Sequence, residues 1–251
     1  MSLSSSAMRG WLFLFDIDGT LIDARGAGLA AIEGAVRDLY GEDIRVPPLD
    51  LGGATDAALV EKIFAACGME PRPAAVSDFY EAYLLRLSEG LRDDEFDGEL
   101  LPGVRELLDV LREAGVMLGL LTGNVEEGAR LKLERFGLNE YFSFGAFGHE
   151  RVDRTELGPL ALDRAGKERG RTFCAAETVI IGDTPRDVAC GQALGARTIA
   201  VATGSSSLAQ LSACRPSLLL ETLEKPDRIM CEVVRWSDKE IDHGDCSGHA
   251  P

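Results

Sequence analysis

Short, continuous apolar segments bounded by small or polar residues recur along the chain. They run from Trp11 to Phe15, Val116 to Thr122, Ser143 to Phe147, Thr178 to Gly182, Arg197 to Ala202 and Ser217 to Leu220. Their apolar positions do not alternate with polar ones, which is the pattern of strands buried on both faces. Between most of them the apolar period becomes helical. Pro102-Gly103-Val104 opens a helix with Val104, Leu107, Leu108 and Leu111 on one face and a stop at Gly115. A second helix is expected from Val125 to Phe136, with Asn124 as N-cap and Gly137 as terminator. Others are expected over Glu156 to Arg169, Pro185 to Leu194 and Ser206 to Ala213. Strand–helix–strand repetition predicts an α/β fold with a parallel sheet covered by helices on both faces.

From Ile22 to Leu100 the rhythm breaks. This stretch carries helical spacing over Gly28 to Tyr40, Thr55 to Cys67 and Ala74 to Leu91, and no convincing strand. Pro47-Pro48 and Gly68-Met69-Glu70-Pro71 punctuate it, and an acidic run from Arg92 to Gly98 ends it. The expected organisation is a core from residues 11–21 and 101–236 and a helical cap from residues 22–100. A flexible leader over residues 1–10 and a disordered polar tail over residues 237–251 complete it. An insertion directly after the first strand sits over the end of that strand, where a lid would exclude water and select substrate. Phe79, Tyr80 and Tyr83 are expected in the core of the insert, and Trp236 as an anchor for the last helix. His243, His249 and Cys246 read as part of the tail rather than as a metal site.

Charge and cysteine usage narrow the partners. A formal net charge of -16 over 251 residues excludes a nucleic-acid phosphate backbone as the partner, which would require a basic patch. An anionic small molecule would need a few local cations against that field. The apolar runs are too short to span a bilayer. Residues 1–8 show no basic stretch followed by a long apolar one, so no secretory signal is expected. The six cysteines are scattered without a Cys-x-x-Cys pair, so reduced thiols and a cytoplasmic location are expected. Oligomeric state, monomer or homodimer, is left open.

The chemistry concentrates where strands end. Leu12-Phe13-Leu14-Phe15 runs into Asp16-Ile17-Asp18-Gly19-Thr20. Two carboxylates so close repel unless a cation lies between them, and Mg²⁺ with its preference for oxygen ligands fits. Leu120-Leu121-Thr122-Gly123-Asn124 ends in a hydroxyl and backbone N–H groups at a helix start, a combination suited to phosphoryl oxygens. Ile181-Gly182-Asp183-Thr184 ends in a third acid, with Asp187 four residues on. The segment from His149 to Leu157 brings cations just before a helix, although an exposed loop is the ordinary setting for its histidine.

In this order the four segments resemble the haloacid dehalogenase-like hydrolase superfamily over about residues 11–222, with its Rossmann-like three-layer core. The insert resembles the helical cap of the phosphoglycolate phosphatase-like branch, and Gly52-Gly53-Ala54-Thr55-Asp56 resembles that branch's cap segment. The resemblance implies a Mg²⁺-dependent phosphatase acting on a small phosphorylated metabolite. Asp16 matches the nucleophile that forms an aspartyl-phosphate, and Asp18 the general acid and base. Thr122 matches the residue that hydrogen-bonds the phosphoryl group, with Gly123 and Asn124 beside it. Asp183 and Asp187 match metal partners, together with the side chain of Asp16 and the backbone carbonyl of Asp18. Thr55 and Asp56 match substrate contacts from the cap. The family's third motif usually carries a lysine, and none lies between Lys132 and Lys167. Arginine must serve, with Arg154 the first choice and Arg151 the second, while Lys167 is expected to face solvent. Asp18 argues against dehalogenation, which has no leaving oxygen to protonate. A phosphomutase of the β-phosphoglucomutase type, or a catalytically silent protein on the same fold, are the alternatives.

Overall fold

A computed structural model describes residues 8–241. In chain order its regular elements are β1 (Leu12–Phe15), β2 (Ile22–Asp23), α1 (Ala27–Tyr40), α2 (Asp56–Ala66), α3 (Pro73–Arg92), β3 (Glu99–Leu100), α4 (Val104–Glu113), β4 (Met117–Thr122) and α5 (Glu126–Arg135). There follow β5 (Gly145–Phe147), α6 (Leu157–Arg169), β6 (Thr178–Gly182), α7 (Pro185–Leu194), β7 (Arg197–Val201), α8 (Leu208–Ala213), β8 (Leu218–Leu220) and α9 (Pro226–Ile241). Six strands form one parallel sheet in the order β5-β4-β1-β6-β7-β8. Every strand expected from the apolar runs is present, with ends trimmed by at most two residues.

The central strand shows why the sheet has two covered faces. Successive side chains of a strand point to opposite sides. Phe13 and Phe15 join the cluster of Leu107, Leu108 and Leu111 from α4 and Ile229 and Val233 from α9. Leu12 and Leu14 join Leu157, Ala161 and Ala165 from α6 on the other side. From β1 the chain passes to β4 and β5 on one flank, then returns to β6 on the other. The crevice between the C-terminal ends of β1 and β6 is therefore the switch point at which open α/β sheets bind ligands.

Helices α1 to α3 form a lid with its own core of Ala31, Ile32, Ala35, Leu59, Ile63, Phe64, Phe79, Tyr83 and Leu87. Phe79 stacks on Tyr83 with ring centroids 6.5 Å apart, and Tyr80 is half-buried beside them. The expectation of no strand between Ile22 and Leu100 needs correcting. Ile22 pairs with Leu100 and Asp23 with Glu99 in an antiparallel ribbon that ties the two ends of the lid together. At two residues per strand it is too short to leave a period-two signal.

Two expectations about the ends also need correcting. Met8, placed in the leader, is buried in the main core at 1% exposure. Helix α9 continues past Trp236 to Ile241, where a disordered tail was expected to begin at residue 237. A long-range contact holds this part of the helix: the Trp11 indole N–H donates to Ser237 Oγ at 3.0 Å, and Trp11 packs on Trp236 with centroids 6.2 Å apart. A buried indole N–H needs such a partner. His243, Cys246 and His249 lie outside the described residues. No disulfide joins the described cysteines, and no described helix is long and apolar enough to cross a membrane.

Candidate active site

Strand β1 ends at Phe15, and the Asp16 backbone N–H still reaches the Ile181 carbonyl on β6 at 3.0 Å. That bond holds the Asp16 side chain at the switch point. Asp183, the residue after β6, faces it. Carboxylate oxygens of Asp16, Asp183 and Asp187 lie within 4.8 Å of one another, and all three side chains are buried. Gly19 permits this approach: its φ is +77°, and a Cβ there would stand 2.6 Å from Asp183 Oδ2. The Thr20 hydroxyl donates to Asp183 Oδ1 at 3.3 Å. Asp187 closes a capping box at the start of α7, accepting at Oδ2 from the Thr184 N–H at 3.0 Å and the Thr184 hydroxyl at 2.6 Å.

Arg154 supplies the cation among these acids. It opens a short 3₁₀ turn, is 5% exposed, and places Nη2 2.5 Å from Asp187 Oδ1 and 3.2 Å from Asp16 Oδ2. Nη2 also donates to the Leu121 carbonyl at 3.1 Å and Nη1 to the Gly53 carbonyl at 3.2 Å. Burial opposes its charge, and Asp16 and Asp187 outweigh that effect. One guanidinium does not balance three buried carboxylates. Burial lifts the Asp16 carboxyl to about 6, with Asp187 and Asp18 adding to the rise and Arg154 opposing it. Burial, then Asp187 and Asp16, push Asp183 up to about 8. A cluster of carboxylate oxygens in deficit of positive charge is a donor set that fits a hard divalent cation.

Arg151, the second choice for this role, is exposed; it pairs with Glu156 at 3.3 Å and donates to the Glu150 carbonyl at 2.6 Å. Lys167 is exposed and pairs with Asp163 at 2.6 Å. His149 is exposed and lies against Phe147.

Asp18 points away from the acid cluster. Its Oδ2 accepts from Asn124 Nδ2 at 2.8 Å and from Lys132 Nζ at 2.6 Å, while Lys132 Nζ also donates to Asn124 Oδ1 at 2.7 Å. Thr122 is fully buried, and its hydroxyl accepts from the Asn124 backbone N–H at 3.3 Å and Nδ2 at 2.9 Å. Its single O–H proton is what it retains to donate. Gly123 and Asn124 line the cavity above the acids. The expectation that Asn124 caps the following helix fails because its amide is engaged in this network. Val125 holds the N-cap position, without a side-chain cap bond of its own. Its backbone N–H donates to Asp56 Oδ2 at 2.7 Å.

Lys132 was missed by sequence reasoning. Between Leu131 and Leu133 it reads as a surface lysine of a helix end. The available signal is that Lys132 falls at helical spacing from Gly128 and Ala129, on the face the helix buries.

The lid reaches the core through residues 50–57. The Asp56 and Ala57 N–H groups donate to the carbonyls of Gly123 at 2.7 Å and Gly148 at 2.9 Å. Arg186 at the start of α7 donates to the Gly52 carbonyl and pairs with Asp50 at 2.7 Å. Thr55 is buried; its hydroxyl accepts from the Ala58 N–H at 3.3 Å and donates to the Val152 carbonyl at 2.7 Å, so it caps α2 and ties the lid to the core. Burial raises the Asp56 carboxyl to about 6 against the Val125 N–H, which lowers it. Between lid and core lies a cavity of about 610 Å³. Its floor is Asp16, Asp18, Asn124, Lys132, Arg154 and Asp183, and its lid side includes Leu29, Ile32, Leu51, Asp56, Leu59 and Tyr83.

Comparison with known proteins matches this architecture. The family model for haloacid dehalogenase-like hydrolases matches residues 13–201. A phosphoglycolate phosphatase of Caulobacter vibrioides is 30% identical over 208 residues, covering 77% of this chain and 78% of that protein. A probable phosphatase, IndB, of Dickeya dadantii is 29% identical over 220 residues, covering 85% of this chain and 90% of that protein. Among solved structures, CbbY from Rhodobacter sphaeroides in complex with phosphate superposes with a TM-score of 0.66 at 20% identity, covering 85% of this chain and 95% of that one. With the four strand-end segments in one crevice and the family model spanning the core from β1 to β7, the chain belongs to the haloacid dehalogenase-like hydrolases.

Proposed function

We propose that the protein is a Mg²⁺-dependent phosphatase that hydrolyses a small phosphorylated metabolite through an aspartyl-phosphate on Asp16. The observation that carries this reading is the buried group of Asp16, Asp183 and Asp187 gathered around a single arginine. Asp16 attacks phosphorus and the ester P–O bond breaks. The departing oxygen takes a proton from Asp18, which stands outside the buried acid cluster. Water then attacks the same phosphorus, giving a proton to the Asp18 carboxylate, and phosphate leaves with Asp16 restored. Arg154 holds the nucleophile's carboxylate in place. The Gly123 backbone and the Thr122 proton serve the phosphoryl oxygens, while the donors of Asn124 are spent on Asp18 and Thr122. Asp16, Asp183 and Asp187, with the Asp18 backbone carbonyl, would hold Mg²⁺, which when bound offsets the charge of an anion meeting an anion.

The cavity volume exceeds a phosphoryl group alone, and the apolar lid side chains face the organic part of the ester. Thr55 acts by seating the lid, and Asp56 by joining it to α5. The phosphoglycolate phosphatases among the relatives make that ester the first to try. Cytoplasmic work on metabolites accords with the free thiols of the described cysteines.

Phosphate release from p-nitrophenyl phosphate, 2-phosphoglycolate and a panel of sugar and nucleoside monophosphates, with Mg²⁺ and with EDTA, tests this reading. Metal-dependent turnover supports it. An inert wild-type protein across the panel overturns it.

A further inference from the structure

Lys132 is a core lysine with no place in the steps above. It is 4% exposed, and a buried ammonium is costly unless its charge is matched and its donors are used. Asp18 matches the charge, and Asp18 and Asn124 take two of its three donors. Lys132 Nζ lies 2.6 Å from Asp18 Oδ2 and 2.7 Å from Asn124 Oδ1, and Asn124 Nδ2 lies 2.8 Å from the same Asp18 oxygen. The three side chains close a ring. Two donors converge on Oδ2, and among the described residues none binds Oδ1. The ring therefore fixes the carboxylate's rotation and leaves one defined oxygen for proton exchange.

The setting shows that the lysine is built in from several sides. Lys132 stands on the buried face of α5 with Gly128 and Ala129 one turn before it. A Cβ on Gly28 of the lid would come within 3.6 Å of its Nζ. The side chain of Asp18 is otherwise partly open, at 42% exposure.

We propose that Lys132 is a positioning residue for Asp18: it acts with Asn124 to aim Oδ1 of the general acid and base at the oxygen that leaves and the water that attacks. This inference rests on the role given to Asp18 above. It assigns Lys132 no contact with substrate.

The test measures kcat and KM for p-nitrophenyl phosphate with Mg²⁺ in the wild type, Lys132→Met, Asp18→Asn and the double variant. Lys132→Met keeps the volume and leaves Asp18 open to water, but it takes the donor from the buried Asn124 Oδ1, so urea unfolding of the variant is measured beside its kinetics. Lys132→Met is expected to lower kcat by about tenfold or more, a fraction of what general acid–base catalysis supplies, with KM within about threefold of wild type. In the Asp18→Asn background the same change is expected to alter kcat by less than about twofold. An unchanged kcat, a loss confined to KM, or an equal loss in both backgrounds overturns the proposal. Should Asp18→Asn leave too little turnover for the second comparison, the split between kcat and KM in the single variant decides. If Lys132→Met does not fold, Lys132→Gln is judged by the same criteria. Full turnover by Asp18→Asn would overturn the acid–base role itself. Loss there with normal kcat in Lys132→Met would overturn only the positioning.

Discussion

Arg154 and Asp16 face each other across 3.2 Å with both side chains almost fully buried. The guanidinium makes possible what an ammonium would not. From one planar group it reaches Asp16, Asp187, the Leu121 carbonyl and, through Nη1, the Gly53 carbonyl of the lid. A lysine offers one point of charge and three donors. The arginine thus links Asp16 to the lid segment above it.

Removing that group isolates two buried carboxylates. Arg154→Ala is expected to destabilise the fold by about 3–5 kcal/mol, the range for breaking a buried charge network from one side. Arg151→Ala is expected to stay within about 0.5 kcal/mol, as exposed positions do. Urea unfolding of both variants measures the difference, and turnover should follow the same ranking. A reversed ranking would contradict the placement of the cation.

Asp16→Asn is expected to reduce kcat by at least about a thousandfold, because the amide is no longer a competent nucleophile. The fold should persist, since the change removes one of three mutually repelling acids. Near-normal turnover in a folded Asp16→Asn variant would exclude Asp16 as the attacking group.

Asp56 gives stability a pH dependence of definite sign. Its folded pKa, about 6, lies above the 3.8 of an unburied aspartate. The folded state therefore holds the proton more tightly, and the contribution is complete below pH 3.8 and lost as pH rises through about 6. Asp56→Asn keeps an acceptor for the Val125 N–H and has no such titration. Relative to that variant, the wild type should lose on the order of 2 kcal/mol of stability across this window. Denaturant midpoints of the two proteins at a series of pH values check it, and parallel curves would refute it.

Gly123 has room for no side chain: a Cβ there would collide with the Ala54 carbonyl oxygen. Gly123→Ala should push residues 50–57 off the core and break the Asp56 N–H to Gly123 carbonyl bond. Overpacking of this kind costs about 1–3 kcal/mol. Because the displaced segment roofs the cavity, kcat/KM is expected to fall by about tenfold or more. Kinetics and thermal unfolding indistinguishable from wild type would show that the lid seats elsewhere.

The strands were legible because burial on both faces leaves unbroken apolar runs such as Leu12 to Phe15 and Val179 to Ile181. The acids were legible because Asp16, Asp18 and Asp183 fall where those runs stop. The Ile22–Asp23 and Glu99–Leu100 ribbon was not, because two residues carry no period. Lys132 was hidden by its flanking leucines, and only the packing of α5 turns it inward. The extension of α9 past Trp236 depends on a bond from Trp11, 226 positions away, which local composition does not encode. Thr55 and Asp56 were recognisable as a segment, but their roles as caps and bridges follow from neighbours contributed by distant loops.

The central claim is a covalent phosphoryl bond to Asp16, and trapping it is the most direct test. Protein quenched during Mg²⁺-supported turnover of p-nitrophenyl phosphate would be reduced with borohydride, which converts an acyl phosphate to an alcohol, and its peptides sequenced by mass spectrometry. The account predicts homoserine at position 16 in quenched samples and not in samples without substrate. Reduction at another carboxylate, or an unmodified Asp16 under conditions of steady turnover, would contradict it.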